Sequence, residues 1–197
     1  MKKEIIICIS SKGRLKPKSL NIFKKKKLKI FSEKGERDLV GYVKNKNFNL
    51  KILFVHAREA VDALANSTAD VAISGKDLLF NSNINIQKKI KLYKNLNFGF
   101  ASLKIFKSIY WIDCQSLLDV SEIARSKPLK LITKYRLLVE NFLAEKNVRN
   151  VEVIDSNGAT EIAVRINQAS LVADISSSGK TAAANDLIEL NDGLILK

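Results

Sequence analysis

The chain has 197 residues, enough for one core or for two lobes of roughly 100 residues each. Its 34 basic and 20 acidic residues give a net charge of +14, which indicates an anionic partner: nucleic acid, a membrane surface or phosphorylated small molecules. Two cysteines exclude a disulfide framework, and no apolar run has the length of a signal or transmembrane segment, so we expect a cytoplasmic protein.

The apolar pattern predicts strands alternating with helices. Strands or extended segments are expected at residues 5–9, 28–31, 39–43, 51–55, 70–74, 90–93, 98–106, 129–133, 151–154, 171–175, 187–190 and 194–196. Helices are expected near residues 17–27, 56–67, 78–80, 117–125, 137–146, 160–167 and 181–184. This alternation predicts an α/β fold with mainly parallel sheets and helices on both faces, in which ligands bind beyond the carboxyl ends of strands.

Four predicted strands run directly into short loops rich in glycine and serine or threonine. Three of these loops are basic: residues 9–14 (ISSKGR), 73–76 (ISGK) and 175–180 (ISSSGK). The fourth, residues 157–161 (NGATE), carries a carboxylate instead. One such loop is weak evidence, but four at strand exits favour a cleft that holds more than one phosphate group.

The loop after residues 172–175 has the composition of a phosphate cradle. Its serines supply hydroxyl donors, Gly179 tolerates a positive φ, and a helix predicted at residues 181–184 would direct backbone N–H groups at an anion. Lys180 adds a positive charge, and Asp174 is suited to accept from sugar hydroxyls or to hold Mg²⁺.

The composition of this loop suits two other interpretations. Gly179, Lys180 and Thr181 match the end of a Walker A loop, but the first glycine of that motif would fall on Asp174, which excludes it. An ordinary serine-rich turn with a solvated lysine stays open on the residues alone.

Several kinds of chemistry lack the residues they need. His56 is the one histidine, which excludes a multi-histidine zinc site and any Ser-His-Asp triad based on another histidine. The lysine run at residues 24–27 has no interleaved aromatic residues to stack on bases, and no repeated amphipathic basic helix suited to a membrane is present. We therefore expect neither a nucleic acid nor a membrane as the partner.

Several of these motifs, in this order, resemble the ATP phosphoribosyltransferase family, which opens histidine biosynthesis. The matching stretches are SKGRL (11–15), Arg37 with Leu39, HARE (56–59), ADVAISGKDLL (69–79), FGF (98–100), TKY (133–135), NGATEIA (157–163), DISSSGKT (174–181) and Ala184-Asn185. Their collinearity over nearly the whole chain is more specific than any single motif.

The resemblance implies two lobes of the periplasmic-binding-protein type II kind, with the active site in the cleft between them. On this sequence it implies that residues 1–94 form the first part of lobe I, that residues 95–180 form lobe II with the phosphate-binding loop, and that residues 181–197 return to lobe I.

The resemblance also implies roles for individual residues. The loop for the 5′-phosphate of phosphoribosyl pyrophosphate (PRPP) comprises Ser176, Ser177, Ser178, Gly179, Lys180 and Thr181, with Asp174 near the ribose. Arg14 and Arg37 match arginines that clamp pyrophosphate or triphosphate, and the resemblance makes them the expected catalytic residues. The remaining contacts to ATP or pyrophosphate are Ser11, Lys12, Gly13, Gly75, Lys134 and Glu161. Mg²⁺ is expected to be held mainly by substrate phosphates, with Asp174 as a candidate ligand.

The activity implied is transfer of the phosphoribosyl group of PRPP to N1 of the adenine of ATP, with release of pyrophosphate. Because the chain ends at Lys197, soon after the last matched strand, it resembles the short form of the family. That form implies a regulatory subunit resembling histidyl-tRNA synthetase, and a homodimer within a larger hetero-oligomer.

The sequence departs from the family pattern at a few positions. The departures are His56 for a usual arginine, Val164 for proline, Ser170 for aspartate, Lys180 for a small residue, Ala183 for arginine and Asp186 for glycine. His56 and Asp186 are the best support for an alternative, a non-catalytic paralogue that binds an anionic metabolite on the same fold.

Overall fold

The structure, a computed structural model, describes residues 4–35, 38–45, 48–156 and 158–197. The chain divides into two compact units, residues 1–99 (unit 1) and residues 100–197 (unit 2). Both units are of the predicted α/β class, with mixed, mostly parallel sheets.

Unit 1 has one four-stranded sheet. Its elements are β1 (Glu4–Ser10), α1 (Leu15–Lys25), β2 (Val40–Lys44), β3 (Asn49–Val55), α2 (Glu59–Ala65), β4 (Val71–Ile73), α3 (Lys76–Phe80) and α4 (Ile84–Lys89). The strand order is β2-β3-β1-β4, and β1 runs parallel to both β3 and β4. The loops that follow these three parallel strands therefore lie at one edge of the sheet.

The core of unit 1 lies on both faces of β1, because successive strand side chains point to opposite faces. Ile9 packs with Ile52 and with Phe23 of α1, whereas Cys8 packs with Ala60 of α2. One helix thus covers each face of the sheet, as the sequence pattern predicted.

Unit 2 has a five-stranded sheet. Its elements are β5 (Ser102–Ser108), α5 (Leu117–Ser126), β6 (Leu129–Thr133), α6 (Arg136–Glu145), β7 (Val151–Asp155), α7 (Ile162–Arg165), β8 (Leu171–Ser176), α8 (Lys180–Ala184) and β9 (Leu187–Leu196). The order is β7-β6-β8-β5-β9, in which β6, β7 and β8 are parallel and β5 is antiparallel to both of its neighbours. The carboxyl ends of the parallel strands again share one edge.

Two expectations differ from the structure. Residues 181–197 were expected to return to lobe I, but β9 hydrogen-bonds along β5 and lies in unit 2, because its apolar residues Leu187 and Leu190 are buried there. Residues 28–31 were expected to form a strand, but only Phe31 makes a bridge, to Tyr42. Lys27 has a φ of 56° and turns the chain back towards α1 just before Leu28. Leu28 and Ile30 therefore pack on the core of unit 1 without forming a strand.

A capping box starts α5. The Ser116 hydroxyl accepts a hydrogen bond from the Asp119 N–H, and the Asp119 carboxylate accepts from the backbone N–H groups of Gln115 and Ser116, both at 2.8 Å. Three hydrogen-bond donors lower the pKa of Asp119 below its ordinary 3.8, because they favour the charged carboxylate. The Gln115 N–H has the largest effect, and the hydroxyl and the N–H of Ser116 add to it.

This cap predicts a pH-dependent contribution to stability. The folded pKa of Asp119 lies below the unfolded value, so the unfolded state takes up the proton first as the pH falls. An Asp119→Asn variant should be less stable than the parent at neutral pH, and the difference should shrink below about pH 3.8 as the parent's carboxylate is protonated. Urea unfolding across this range measures it, with Glu122→Gln on the same helix as control; a difference that is constant down to about pH 2 would contradict the assignment.

Each unit contains one fully buried cysteine, Cys8 in β1 and Cys114 before α5. Burial raises the pKa of both thiols, that of Cys114 to about 11, where the nearby Asp119 carboxylate adds to the effect. Thiols of this kind are inert at neutral pH.

Within the ranges that the structure describes, no helix has both the length and the apolar composition needed to cross a membrane.

Candidate active site

The loop predicted to bind phosphate, residues 176–181 of unit 2 (the phosphate-binding loop), connects β8 to α8. Ser176 ends the strand, and its hydroxyl accepts a hydrogen bond of 2.9 Å from the Gly179 N–H, which closes the loop. Gly179 has φ 71° and ψ −8°, the left-handed conformation that the sequence analysis anticipated. Ser177 and Ser178 lie exposed between these two anchors. The loop is thus closed by a hydrogen bond between residues three apart in the chain, and it exposes two serine side chains to solvent.

The helix after the loop is short, and one of its residues anchors it in the core. Ala182 is buried in a cluster with Phe106, Val172 and Leu187, while Lys180 and Thr181 on the other side are exposed. A helix leaves its first N–H groups without intrahelical acceptors, so the amides that follow Gly179 are available to an anion. Hydroxyls, backbone N–H groups and one lysine are thus exposed together, and these are donors that suit an anion such as a phosphate.

Asp174 is joined to the loop after β7 by a buried hydroxyl. The Thr160 hydroxyl donates a hydrogen bond to Asp174 Oδ2, and Thr160 Oγ1 also lies 3.4 Å from Glu161 Oε2. Thr160 is completely buried, whereas Asp174 and Glu161 are half-buried. The structure therefore brings together Asp174 and Glu161, two residues singled out in the sequence, through a threonine that was not.

A second missed group lies beside Asp174 on the same sheet. Lys104 of β5 is the cross-strand partner of Asp174 in the antiparallel pairing with β8, and its ammonium group forms an ion pair of 2.6 Å with Glu189 of β9. Side chains at paired positions share a face of the sheet. The sequence signal for Lys104 is a charged residue between the apolar residues Leu103 and Ile105 of the strand.

The motif after β6 supports β8 from the other side. The buried Thr133 hydroxyl donates to the Ala173 carbonyl at 2.7 Å and accepts from the Tyr135 N–H at 3.0 Å. Lys134, between them, is half-buried at the same carboxyl edge of the sheet as the phosphate-binding loop. These contacts fix the backbone immediately before Asp174.

In unit 1 the basic loop after β1 has a similar construction. The Ser10 hydroxyl donates to the Lys12 carbonyl at 2.7 Å, and the Ser11 N–H donates to the Val55 carbonyl at 2.8 Å. Gly13 has φ 76°, and Arg14 is the N-cap of α1. Lys12, Gly13 and Arg14 are exposed, and the first turn of α1 contains no acidic residue, so the helix start is open to an anion.

The other predicted residues of unit 1 lie at the same sheet edge or outside the described residues. Gly75 is the N-cap of α3, where the Asp77 carboxylate fills the space that a side chain at position 75 would need. His56 is exposed after β3, and its N–H donates to Glu59 at 2.7 Å, so the residue helps to start α2. Arg37 lies outside the described residues.

Asp186, which replaces a glycine usual in the family, has φ 57°. Its carboxylate forms an ion pair of 2.8 Å with Arg165 at the end of α7. A positive φ explains why glycine is favoured at this position, and aspartate is among the few other residues that adopt it readily. The ion pair links the segments that follow the Glu161 and Gly179 loops.

This geometry predicts a small effect for Asp186→Gly and a larger one for Asp186→Ala. Glycine relieves the backbone cost of the positive φ while the half-exposed ion pair is lost, so the unfolding free energy should stay within about 1 kcal/mol of the parent. Alanine loses the ion pair and keeps the strain, and should cost about 1–2 kcal/mol. Urea unfolding measures both, and a glycine variant less stable than the alanine variant would contradict the account.

Two carboxylates near the loop after β8 are of the kind that Mg²⁺ uses together with substrate phosphates. Within the described ranges, no group of three or more His, Cys, Asp and Glu side chains is arranged to hold a metal ion. Asp174 and Glu161 are near one another, and Mg²⁺ is commonly bound by one or two carboxylates together with substrate phosphates and water.

The fold and its loops define a class, a two-unit α/β protein with glycine- and serine-containing loops at the carboxyl ends of parallel strands. A chain of the ATP phosphoribosyl transferase (HisG:HisZ) complex from Thermotoga maritima has the same fold, with a TM-score of 0.72 at 18% identity, covering 98% of this chain and 83% of that one. An ancestral arginine-binding protein bound to arginine gives a TM-score of 0.58 at 11% identity, covering 100% and 81%. These two structures confirm the periplasmic-binding-protein type of fold.

Sequence comparison is more specific. The family model HisG: ATP phosphoribosyltransferase matches residues 56–196, which include the whole phosphate-binding loop. An ATP phosphoribosyltransferase of Rhodopseudomonas palustris (strain BisB18) is 32% identical over 198 residues, covering 98% of this chain and 61% of the relative. One of Rhizobium etli (strain CIAT 652) is 30% identical over 199 residues, covering 98% and 86%. The chain belongs to the ATP phosphoribosyltransferase family.

The chain matches only part of the length of some of these relatives. The chain spans 61% of the length of the Rhodopseudomonas protein and 62% of that of a Nitrobacter winogradskyi relative, which is 30% identical. Because the relatives carry the transferase name, they do not favour the alternative of a non-catalytic binding paralogue.

Proposed function

We propose that this chain is an ATP phosphoribosyltransferase, which transfers the phosphoribosyl group of PRPP to N1 of the adenine of ATP and releases pyrophosphate, the first step of histidine biosynthesis. The observation that carries the proposal is the loop closed by Ser176 and Gly179 beside the Asp174 and Thr160 pair, in a chain of this family.

In the proposed reaction, the loop of unit 2 holds the 5′-phosphate of PRPP. The hydroxyls of Ser177, Ser178 and Thr181 and the N–H groups at the start of α8 donate to its oxygens, and Lys180 adds charge. Asp174, oriented by Thr160, accepts from a ribose hydroxyl. Binding at the phosphate end positions C1 of the ribose for attack, which lowers the entropic part of the barrier.

Transfer forms the bond between adenine N1 and ribose C1 and breaks the bond between C1 and pyrophosphate. Positive charge develops on the sugar, and negative charge grows on the leaving group. We propose that the loop of unit 1, with Ser11, Lys12, Gly13 and Arg14, binds phosphate groups of ATP or pyrophosphate, and that Gly75, Lys134, Glu161 and Arg37 complete the substrate contacts. Cationic and N–H donors directed at a developing anion are worth several kcal/mol.

Magnesium is proposed as the metal, with Asp174 and Glu161 as the carboxylates available to it in unit 2. When bound, it would neutralise charge on the pyrophosphate as that group leaves.

A regulatory subunit resembling histidyl-tRNA synthetase is proposed as the partner, with a homodimer of this chain inside a larger hetero-oligomer in the cytoplasm. The support is the HisG:HisZ complex of Thermotoga maritima, one chain of which shares this fold.

The test is pyrophosphate release by the purified chain with ATP, PRPP and Mg²⁺, with and without a candidate regulatory subunit. We expect product only when both substrates are present. Tight binding of one substrate without product under any of these conditions would instead establish a binding protein.

A further inference from the structure

The charge of the chain is distributed unequally between its two units. Residues 1–99 contain 22 Lys and Arg against 8 Asp and Glu, whereas residues 100–197 contain 12 of each, so unit 1 carries the whole net charge of +14. Between residues 12 and 29 there are nine basic residues and no acidic one. The substrate loop at residues 11–14 accounts for only two of these nine.

Three of the remaining basic residues line a groove at the far end of α1. The groove, of about 400 Å³, has an apolar floor of Leu20, Phe23, Leu28 and Ile30. Its other lining residues are Lys24, Lys27 and Lys29, whose side chains are exposed. In the described residues none of these three lysines has a carboxylate within ion-pair distance.

The groove is built by a specific turn at the end of α1. The Leu28 N–H donates to the Phe23 carbonyl at 2.9 Å and the Lys27 N–H to the Lys24 carbonyl at 2.9 Å, the two hydrogen bonds of a Schellman motif. This motif folds Leu28 back onto the helix. It also requires a positive φ at its turning residue, which is usually glycine; here that residue is Lys27, with φ 56°.

A lysine at this position carries a backbone cost that glycine would avoid. The lysine does not repay that cost with an ion pair among the described residues. Among the described residues no carboxylate pairs with the Lys27 ammonium group, so an anionic group of another molecule is the simplest partner for it.

We propose that this groove, formed by α1 and residues 27–30, docks a segment of a partner protein that carries both apolar and acidic side chains. The apolar floor would receive its hydrophobic residues, and Lys24, Lys27 and Lys29 would pair with its carboxylates. The surface lies in unit 1 and its test needs no turnover, so it stands separately from the proposed transferase activity.

A protein segment fits the groove better than the other anionic partners do. The apolar residues form the floor of a groove, with Phe23 only 6% exposed, so they do not protrude from the surface as insertion into a bilayer requires. A nucleic acid backbone would match the lysines but has no apolar group to fill a concave floor. Side chains such as leucine and phenylalanine fill such a floor directly.

The probe is a short fluorescein-labelled peptide in which leucines and a phenylalanine alternate with glutamates, and binding is followed by fluorescence anisotropy. We expect saturable binding that is weakened about tenfold or more by Lys24→Glu, Lys27→Glu and Lys29→Glu together. The matched control reverses the same number of charges at exposed sites of unit 1, Lys88→Glu, Lys89→Glu and Lys91→Glu. A peptide with serines in place of the leucines and phenylalanine should also bind about tenfold more weakly.

The Lys27→Gly variant distinguishes an effect on peptide binding from an effect on the stability of the fold. It should raise the urea midpoint, because glycine favours the positive φ, and at the same time weaken peptide binding. Asn147→Gly, at another position of positive φ, should raise the midpoint without changing binding. Equal effects of the two triple variants, equal affinity for the serine peptide, or stronger binding to a DNA duplex or to phosphatidylserine vesicles than to the peptide would each overturn the proposal.

Discussion

A Gly179→Val variant should bind PRPP at least about tenfold more weakly than the parent, seen as a rise in the KM for PRPP. Gly179 has φ 71° and its N–H holds the Ser176 hydroxyl at 2.9 Å. A β-branched residue in the left-handed region costs about 2 kcal/mol or more, and the loop can avoid that cost only by leaving the conformation that presents its N–H groups. Apart from Gly179 and its two chain neighbours, no heavy atom of the described residues lies within 4 Å of a Cβ placed at this position, so the effect comes from the backbone and not from a clash.

The matched control is Asn147→Val, which imposes the same residue type on a φ of 57° in the same unit. Asn147 follows α6 and precedes β7, at the sheet edge opposite the carboxyl ends of the parallel strands. Both variants should lose similar stability, but only Gly179→Val should change the KM for PRPP. If the two variants have the same KM, the loop does not bind the 5′-phosphate in the conformation described.

Removing the Thr160 hydroxyl should lower kcat/KM for PRPP by about 10- to 100-fold. Thr160→Val keeps the shape of a completely buried side chain but leaves Asp174 Oδ2 without its donor. A hydrogen bond to a charged group is worth about 1.5–3 kcal/mol, and here it also fixes the carboxylate proposed to accept from the ribose. Steady-state kinetics with varied PRPP measure the loss.

Thr160→Ser is the conservative control, because it restores the hydroxyl and should recover most of the activity. A double-mutant cycle with Asp174→Asn then isolates the coupling between the two residues. Additive effects in that cycle would show that Thr160 acts only on folding, whereas a coupling of about 1 kcal/mol or more would support a positioning role.

Local patterns predicted the conformation of the loop between β8 and α8 well, because that conformation depends on residues adjacent in the chain. Ser176, Gly179 and the helix start at Lys180 are neighbours, and the positive φ of Gly179 follows from the residue type. The strand at residues 129–133 was predicted with its observed bounds for the same reason, a compact apolar run with polar residues on either side.

The parts that were missed depend on pairing between distant segments. Thr160 and Asp174 meet because β7 and β8 both pair with β6, and Lys104 faces Asp174 because β5 is antiparallel to β8. No residue pattern near Thr160 or Lys104 specifies these partners. The same holds for β9, whose apolar residues are equally suited to either sheet until the partner strand is known.

Helix α4 was missed for a local reason. Its sequence, INIQKK, lacks the apolar stripe of a packed helix, and none of its residues is buried. The helix is started instead by Asn83, whose side chain accepts a hydrogen bond from the Asn85 N–H.

The placement of the two cysteines gives a means of observing each unit separately. Cys8 lies in unit 1 and Cys114 in unit 2, and each is completely shielded from solvent in the folded chain. An alkylating reagent can therefore react with a thiol only after the unit around it has opened. Mass analysis of the labelled peptides would then report two opening rates from one sample, without any engineered probe.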